Sequence, residues 1–289
     1  MGAIYKRELK SYFTSFTGYI FIAFMVLFLG IYFMAMNMSN GIPFFSYTLS
    51  SVSFIYIFTI PVLTMRCFSD EKKSKTDQLL LTAPVSVWKI VVGKFLAMAT
   101  VFLIPMLISC LCPLIIDSVG NAYLMVDYSS IFAFFLLGCV YISIGMFISS
   151  LTESQLIAAV LSLTVMVLLY LWPTLIQLVP TDARTSMIGI VFLFTIFIMI
   201  IYQMTDNGLI TGIVEALGLG AIAFIYLTKQ QLMEGALANI LSKLVFTDVF
   251  TNFALYDIFD IAGVIYYISL DVYKRQPFYA PGSRQDYCL

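Results

Sequence analysis

The sequence predicts an all-α polytopic membrane protein, built as a bundle of about six to eight transmembrane helices. One observation is composition: 61% of the residues are hydrophobic and 11% are charged, with a mean hydropathy of +0.99, whereas soluble domains carry about 25% charged residues. The other is the length of the uncharged runs at 95–116, 128–152, 154–181 and 185–205. Each run reaches the ~20 residues with which a helix crosses the hydrocarbon layer.

Charged and metal-ligating residues exclude several classes of protein. The net charge is −1 and the basic residues form no continuous stripe, so nucleic acid is not expected as a partner. The chain has five scattered cysteines and no histidine, which argues against a zinc site, a haem site or a disulfide framework. The sequence therefore predicts no catalytic residue, no metal ligand and no cofactor bound by this chain.

Residues 3–16 are expected to form an amphipathic helix ahead of the first span. Aromatic and apolar side chains fall on one face of this helix, and basic side chains fall on the opposite face. A helix of this kind lies along the headgroup plane of a membrane; the alternative is an ordinary positively charged flank of the first span. The apolar face holds Tyr5, Leu9, Tyr12, Phe13 and Phe16, and the polar face holds Lys6, Arg7, Lys10 and Thr14.

The spans follow in order and are separated by short polar segments. Only residues 152–154 separate the fourth span from the fifth, so these two spans are expected to form an antiparallel hairpin. Residues 229–260 are mixed, and indicate either short amphipathic helices at the outer interface or a packed loop. Seven spans are predicted at about 17–36, 47–65, 90–116, 130–151, 155–179, 187–204 and 209–228, with the start of an eighth at 261–270.

The basic residues predict the orientation, because cytoplasmic segments of membrane proteins carry an excess of lysine and arginine. With the N-terminus inside, the inner segments hold nine basic residues. The outer segments then hold three, Arg184, Lys229 and Lys243, when the tail after residue 270 is left aside. The N-terminus and residues 66–94 are therefore predicted to be cytoplasmic, and residues 229–260 to be outside.

Residues 66–94 form a charged insert between two apolar spans, and we call them the coupling segment. Ser69 is a candidate N-cap for a short helix, and Asp70 and Glu71 stand in its first turn, near the positive end of the helix dipole. Three lysines and a leucine triplet follow before Pro84 ends the helix. Such a helix suits docking into a groove of a soluble partner; the alternative is a solvated loop that only sets topology.

The order of residues in this segment resembles the signature that follows the second span in permeases of type-2 ABC transporters. The similarity is greatest to the bacterial branch that includes the gliding-motility and nitrous-oxide-reductase-maturation permeases. This chain has Lys75 where those permeases commonly have glycine. The matching residues are Arg66-x-Phe68-x-Asp70-Glu71-Lys72-Lys73, then Thr76-Asp77-Gln78-Leu79-Leu80-Leu81-Thr82-Ala83-Pro84-Val85, then Gly93-Lys94-Phe95.

The resemblance implies the membrane subunit of an exporter in a bacterial inner membrane. It implies two copies of an ATP-binding subunit as partners, a second permease copy or paralogue, and surrounding membrane lipid, with ATP and magnesium used by the ATP-binding subunit. The segment would seat in a cleft of that subunit. The coupling residues implied are Arg66, Asp70, Glu71, Lys72 and Lys73 as polar contacts, and Thr76, Asp77, Gln78, Leu79, Leu80 and Leu81 as the packed face.

The chain lacks the motif with which an ATPase would bind phosphate. A phosphate-binding loop has the form G-x-x-x-x-G-K-[ST]. Gly93 and Lys94 are the only Gly-Lys pair, and they are preceded by Trp88 at the first glycine position and followed by Phe95. ATP hydrolysis is therefore expected in a partner chain.

Glu215 is a carboxylate within the predicted seventh span. An ionisable group inside a membrane is costly and indicates a functional site, here a contact on the translocation path. The alternative is a residue near the inner boundary that reaches water. Nearby glycines would let helices approach closely; they are Gly208, Gly212, Gly218 and Gly220.

Residues 1–270 are expected to form a single transmembrane permease domain. The eighth span is interrupted after about ten residues by a charged run at 271–276, so residues 271–289 are predicted to be a non-native tail.

Two other functions fit the sequence less well than a transporter permease. A membrane-embedded enzyme is disfavoured because no histidine or paired intramembrane carboxylate is present. An ATP-independent channel or secondary transporter would carry more intramembrane ionisable groups.

Overall fold

The computed structural model describes residues 2–75, 87–120, 123–205, 212, 214–215, 217–220, 222, 226, 228, 234–242 and 245. These residues are largely helical, and no strand occurs among them. The helices are α1 (Gly2–Thr14), α2 (Phe16–Phe33), α3 (Phe45–Val52), α4 (Tyr56–Thr64), α5 (Ser69–Lys73), α6 (Val87–Ser109), α7 (Leu111–Val119), α8 (Leu124–Leu151), α9 (Gln155–Gln177), α10 (Ala183–Thr205) and α11 (Ala236–Ser242).

Five helical runs in this part of the chain are long and apolar enough to cross a membrane. They coincide with the first five predicted spans, and a shorter apolar helix, Ala183–Met199, coincides with the sixth. The all-α polytopic fold class is thus confirmed. The five runs are Phe16–Ser39, Phe45–Lys73, Trp88–Val119, Leu124–Leu151 and Gln155–Gln177.

The second run extends beyond the predicted boundary at residue 65. It is built from α3, a 3-10 turn at Ser53–Ile55, α4, a turn and then α5. The charged residues of α5 had suggested that the span ends before them. The short helix that was predicted after this boundary is present as α5, and side chains of other helices bind its first turn.

The predicted N-terminal helix is confirmed as α1. One residue assigned to its apolar face, Phe16, lies outside the helix. Tyr12 is buried, and Tyr5, Leu9 and Phe13 are half-buried, whereas the predicted basic face is exposed. Phe16 is 77% exposed, because Ser15 adopts an extended conformation that ends α1 and turns Phe16 into the first residue of α2. The apolar face packs against α6. A position in the headgroup plane stays a prediction.

The core of the first compact unit, which covers the described residues up to Tyr170, is aromatic. Phe21, Phe45, Phe102 and Phe134 are fully buried, and the ring of Tyr56 contacts those of Phe102 and Phe134. The hydroxyl of Tyr56 donates to the carbonyl oxygen of Phe134 at 2.8 Å, which satisfies the one polar group that this ring carries into the core. α8 is the most enclosed of the long helices, and α2 and α9 leave most of their apolar surface exposed.

A glycine allows α4 and α8 to pack closely. A Cβ atom added at Gly145 of α8 would lie 2.4 Å from Oγ1 of Thr64, a contact that real Cβ atoms do not make. Thr64 is fully buried and its hydroxyl donates to Ile60 O at 2.9 Å, so the side chain has little room to move. Close approach of these two helices therefore depends on the absence of a side chain at residue 145.

Buried polar groups fix the turn between the first two spans. Asn37 donates to the carbonyl oxygens of Ile42 at 2.7 Å and Phe44 at 3.2 Å, and its Oδ1 accepts from Thr48 at 2.6 Å. Asp127 of α8 is fully buried, and its Oδ1 accepts from the backbone N–H of Phe45 at 2.8 Å. This carboxylate caps the start of α3 from a distant part of the chain.

The second compact unit runs from Leu171 to Val245. Within it, Trp172 Nε1 donates to Leu241 O at 3.1 Å, and the backbone N–H of Gly235 donates to Thr181 O at 2.9 Å. These bonds hold the segment around α11 beside the end of α9 and the start of α10.

Several predictions fall on residues outside the described part of the chain. They concern residues 76–86 of the coupling segment, most of the seventh span at 209–228, most of the outer segment 229–260, the eighth span at 261–270 and the tail 271–289. The single permease domain at 1–270 likewise stays a prediction.

Candidate functional site

α5 is the described part of the predicted coupling helix. Asp70 and Glu71 occupy its first turn and Lys72 and Lys73 its last, an order that complements the helix dipole. The predicted N-cap is wrong: Ser69 lies inside the helix and its hydroxyl donates back to Met65 O. Oγ of Ser149 instead accepts from the backbone N–H groups of Phe68 at 3.2 Å and Ser69 at 3.4 Å. The cap therefore comes from the end of α8.

Lys94 of α6 is a buried cation beside α5. Its side chain is 2% exposed, and its Nζ lies 2.9 Å from Oε1 of Glu71 and 3.5 Å from Oε1 of Glu8. Nζ also donates to Cys67 O at 2.7 Å and lies 5.0 Å from the centroid of the Phe68 ring. A buried ammonium group is tolerated only when its charge and its donors are matched in this way.

Arg7 closes the cluster on its outer side. Its Nη2 lies 2.8 Å from Glu8 Oε1 and 2.9 Å from Glu71 Oε1, and its side chain is 56% exposed. The hydrogen bond to Glu8 raises the pKa of Arg7 above its ordinary value. We call Arg7, Glu8, Glu71 and Lys94 the ion-pair quartet. Two cations and two carboxylates balance within it.

Asp70 and Lys72 of α5 bind residues at the end of α8 and at the start of α9. Lys72 Nζ donates to Ser150 O at 2.5 Å, at the end of α8. Asp70 accepts from Gln155 Nε2 at the start of α9, and its Oδ2 lies 3.5 Å from Nε of Arg66. α5 is thus bonded to both helices that flank the turn at 152–154.

Lys73 and Lys75 present their side chains to solvent. Lys75 has a φ of 54°, in the left-handed region that favours glycine, and follows the end of α5. This conformation gives a physical reason for the glycine that is common at this place in the resembled permeases. Lysine adopts it here at some cost in backbone strain.

Of the predicted coupling residues, Arg66, Asp70, Glu71 and Lys72 make contacts within the chain and Lys73 is exposed. Their role in coupling stays a prediction. Thr76, Asp77, Gln78, Leu79, Leu80 and Leu81 lie outside the described residues. Sequence reasoning missed Glu8, although it follows Tyr5 by three residues and precedes Tyr12 by four, which places a carboxylate on the apolar face of α1. Lys94 directly precedes a long uncharged run, and this position likewise indicated a charge close to the apolar core. Nothing local marks Ser149.

Burial also affects Tyr12, which fastens α1 to the bundle. Its hydroxyl donates to Leu63 O at 3.1 Å in α4, and burial raises the pKa of Tyr12 well above its usual value. Tyr5 adds a hydrogen bond of 3.1 Å between its hydroxyl and Oγ1 of Thr100 in α6. α1 is therefore held by neutral contacts on both sides of Glu8.

Glu215 lies in a helical piece of the second unit and is half-buried. A Cβ atom added at Gly218 would lie 2.2 Å from Cζ of Phe194, so this glycine does permit close approach to α10. Gly212 and Gly220 have open space where a Cβ would stand. A role of Glu215 in translocation stays a prediction.

The second unit also contains a cavity of about 710 Å³. Its lining combines two carboxylates with one guanidinium group, and none of the predicted site residues borders it. The lining residues are Thr181, Asp182, Ala183, Arg184, Glu234 and Gly235.

Residues 3–251 match the model of the family described as ABC-2 family transporter protein. The match spans both compact units and includes α1, the coupling segment and all the predicted spans up to the seventh. No curated protein and no solved structure matches the chain. The resemblance to the gliding-motility and nitrous-oxide-reductase-maturation branch stays a prediction.

Proposed function

The chain belongs to the ABC-2 family of transporter proteins, and on that premise we propose that it couples ATP hydrolysis in a separate subunit to export of a substrate. It is a multi-pass membrane component of a transporter, and permeases of this family work with an ATP-binding subunit. We further propose that the ATP-binding subunit acts on α5.

The observation that carries the proposal is the attachment of α5 to four other helices. Its backbone and charged side chains bind α1 and α6 through the quartet, α8 through Ser149 and Ser150, and α9 through Gln155. A displacement of α5 would therefore be passed to all four helices. A solvated loop that only sets topology has no need of these bonds.

The surface left for a partner is basic. Glu71, with a side chain 17% exposed, and Lys72 are used within the chain, whereas Lys73 and Lys75 are exposed. We therefore propose that the partner presents acidic side chains to this end of α5. The apolar residues at 79–81 would supply the packed face.

The experiment is co-purification of the tagged full chain with the proteins encoded beside it, followed by measurement of the ATP-binding protein that is recovered. Lys73→Glu combined with Lys75→Glu should lower the recovered ATPase at least about tenfold, since close like charges at an interface cost a kcal/mol or more. The matched control is Lys6→Glu with Lys10→Glu, which makes the same charge change on the exposed face of α1.

Equal recovery from the two double variants would contradict the assignment of α5 as the docking element. Recovery of the wild-type chain alone, stable and without an ATPase, would favour an ATP-independent channel or secondary transporter instead. Charge reversal at Asp70 and Glu71 is a poorer test, because it would also break the bonds that hold α5 in place.

The complete assembly that we propose contains two ATP-binding subunits and a second permease copy or paralogue, in a bacterial inner membrane. ATP and magnesium would be bound by the ATP-binding subunits and not by this chain. The N-terminus and the coupling segment would face the cytoplasm. Glu215 remains the candidate contact on the translocation path.

A further inference from the structure

We propose that Glu8 of the N-terminal helix α1 is a positioning residue for the coupling segment, acting through Lys94. The inference rests on the proposed function for its consequence in transport. It assigns α1 a part in coupling, beyond that of an interfacial helix or a charged flank.

The charge balance of the quartet requires Glu8. Lys94 and Arg7 each contact the same two carboxylates, so each cation bridges α1 to α5. Without Glu8, Glu71 would face two cations alone, one of them 2% exposed. A buried cation left short of a partner draws in water or moves its neighbours.

Lys94 converts that imbalance into a change at α5. Its Nζ binds Cys67 O, in the turn before α5, as well as the carboxylate of Glu71 in the first turn of α5. Both ends of this short stretch therefore depend on one ammonium group. When the carboxylate of Glu8 is removed, the ammonium group of Lys94 loses one of its partners and can shift. Its bonds to Cys67 O and to Glu71 then no longer hold the turn and α5 in one position.

α1 can serve as the fixed side of the linkage because it is anchored independently of the quartet. Tyr12 binds Leu63 O, and Tyr5 binds Thr100. These neutral bonds remain when the charge at residue 8 is removed. The effect of Glu8→Gln should then appear at α5 and not as a general loss of α1.

The first measurement is amide hydrogen exchange in the full chain purified in detergent, without any ATPase. Glu8→Gln should speed exchange of the amides of Lys72 and Ser74, which close α5 onto Phe68 O and Asp70 O, by about tenfold or more. Lys10→Gln, an exposed change on the same helix, is the matched control and should leave them unchanged. Unchanged exchange in Glu8→Gln would overturn the proposal.

Graded variants at residue 8 test whether its negative charge is what matters. Glu8→Asp keeps a carboxylate on the side of α1 that faces Lys94 and Arg7, whereas Glu8→Gln keeps the size of the side chain and removes its charge. We expect exchange at α5 in Glu8→Asp to stay closer to the wild-type rate than to the rate of Glu8→Gln. Exchange in Glu8→Asp as fast as in Glu8→Gln would overturn the proposal.

The ATPase readout separates this inference from the proposed function. With the ATP-binding protein recovered by co-purification added, Glu8→Gln should keep the amount of complex but lower its rate of ATP hydrolysis, and Glu8→Asp should retain more of that rate. An unchanged rate would overturn the role in coupling. If the wild-type chain recovers no ATPase while exchange still responds to Glu8, the proposed coupling to an ATPase fails and the linkage from α1 to α5 is supported.

Discussion

Lys75 carries a backbone strain that its side chain does not offset. The residue follows α5 with a φ of 54°, and its side chain is exposed. Glycine adopts this conformation without the steric cost that a Cβ atom imposes. The lysine contributes positive charge at the proposed docking surface, so the strain is retained at a place where charge is proposed to act.

We expect Lys75→Gly to stabilise the chain slightly, by about 0.5–1 kcal/mol, with a rise in the thermal midpoint measured in detergent. Lys73→Gly is the control, since residue 73 is helical and glycine there should destabilise by about 1 kcal/mol. A lower midpoint for Lys75→Gly would show that the lysine side chain makes a favourable contact that outweighs the strain.

Asp127 is a buried carboxylate that caps a helix far from it in the sequence. Replacing it by alanine leaves the N–H of Phe45 without this acceptor, and we expect a loss of about 2 kcal/mol in unfolding free energy. Asp127→Asn keeps an oxygen acceptor and should cost less.

Asp117→Ala provides the matched surface control, because Asp117 is exposed in α7. Chemical or thermal unfolding in detergent would rank the three variants. Equal stability of Asp127→Ala and Asp117→Ala would show that the bond to Phe45 contributes nothing.

At the scale of elements, the packing of α4 on α8 is the feature that a single methyl group can disturb. Gly145→Ala places a Cβ atom 2.4 Å from Thr64 Oγ1 and 2.9 Å from Thr64 Cβ. The helices must separate to relieve this contact, at a cost of about 1–3 kcal/mol. Since α5 follows α4 in the chain, the displacement should also reach the coupling segment.

Gly30→Ala is the matched helix substitution, because a Cβ at residue 30 meets no atom within 4 Å. It should be stabilising, since alanine favours helix over glycine by about 1 kcal/mol. The thermal midpoints of the two variants should therefore move in opposite directions from that of the wild type. Similar midpoints would mean that α4 and α8 adjust to the added methyl group without strain.

At the scale of the whole molecule, the proposed orientation puts the two ends of α8 on opposite sides of the membrane. Met125, at the start of α8, is 90% exposed, and Lys10 is exposed on α1. In intact cells, a membrane-impermeant maleimide should label Met125→Cys and should label Lys10→Cys only after permeabilisation.

The unsubstituted chain is the control for labelling, since it retains its natural cysteines, of which Cys67 and Cys139 are buried. Labelling of Lys10→Cys in intact cells would place the coupling segment outside, where no ATP-binding subunit could reach it. The orientation and the proposed coupling would then both be wrong.

Segments whose structure depends on their own residues were predicted well. α1 and the first six spans fall where periodicity and uncharged length placed them. The two local errors at Phe16 and Ser69 have the same origin. In each, the position of a side chain depends on where a helix begins, and the turn at Ser15 and the distant cap at Ser149 decided that beginning.

The sequence by itself determined that this protein crosses a membrane repeatedly as helices, because ~20 apolar residues in a row satisfy the hydrocarbon layer whatever lies beside them. It also determined that residues 66–75 are charged and helix-prone. Only the tertiary structure decided which of those charges are used within the chain. Arg7 and Glu71 are 64 residues apart and meet at 2.9 Å, and burial of Lys94 between α1 and α5 depends on helices that no local pattern brings together.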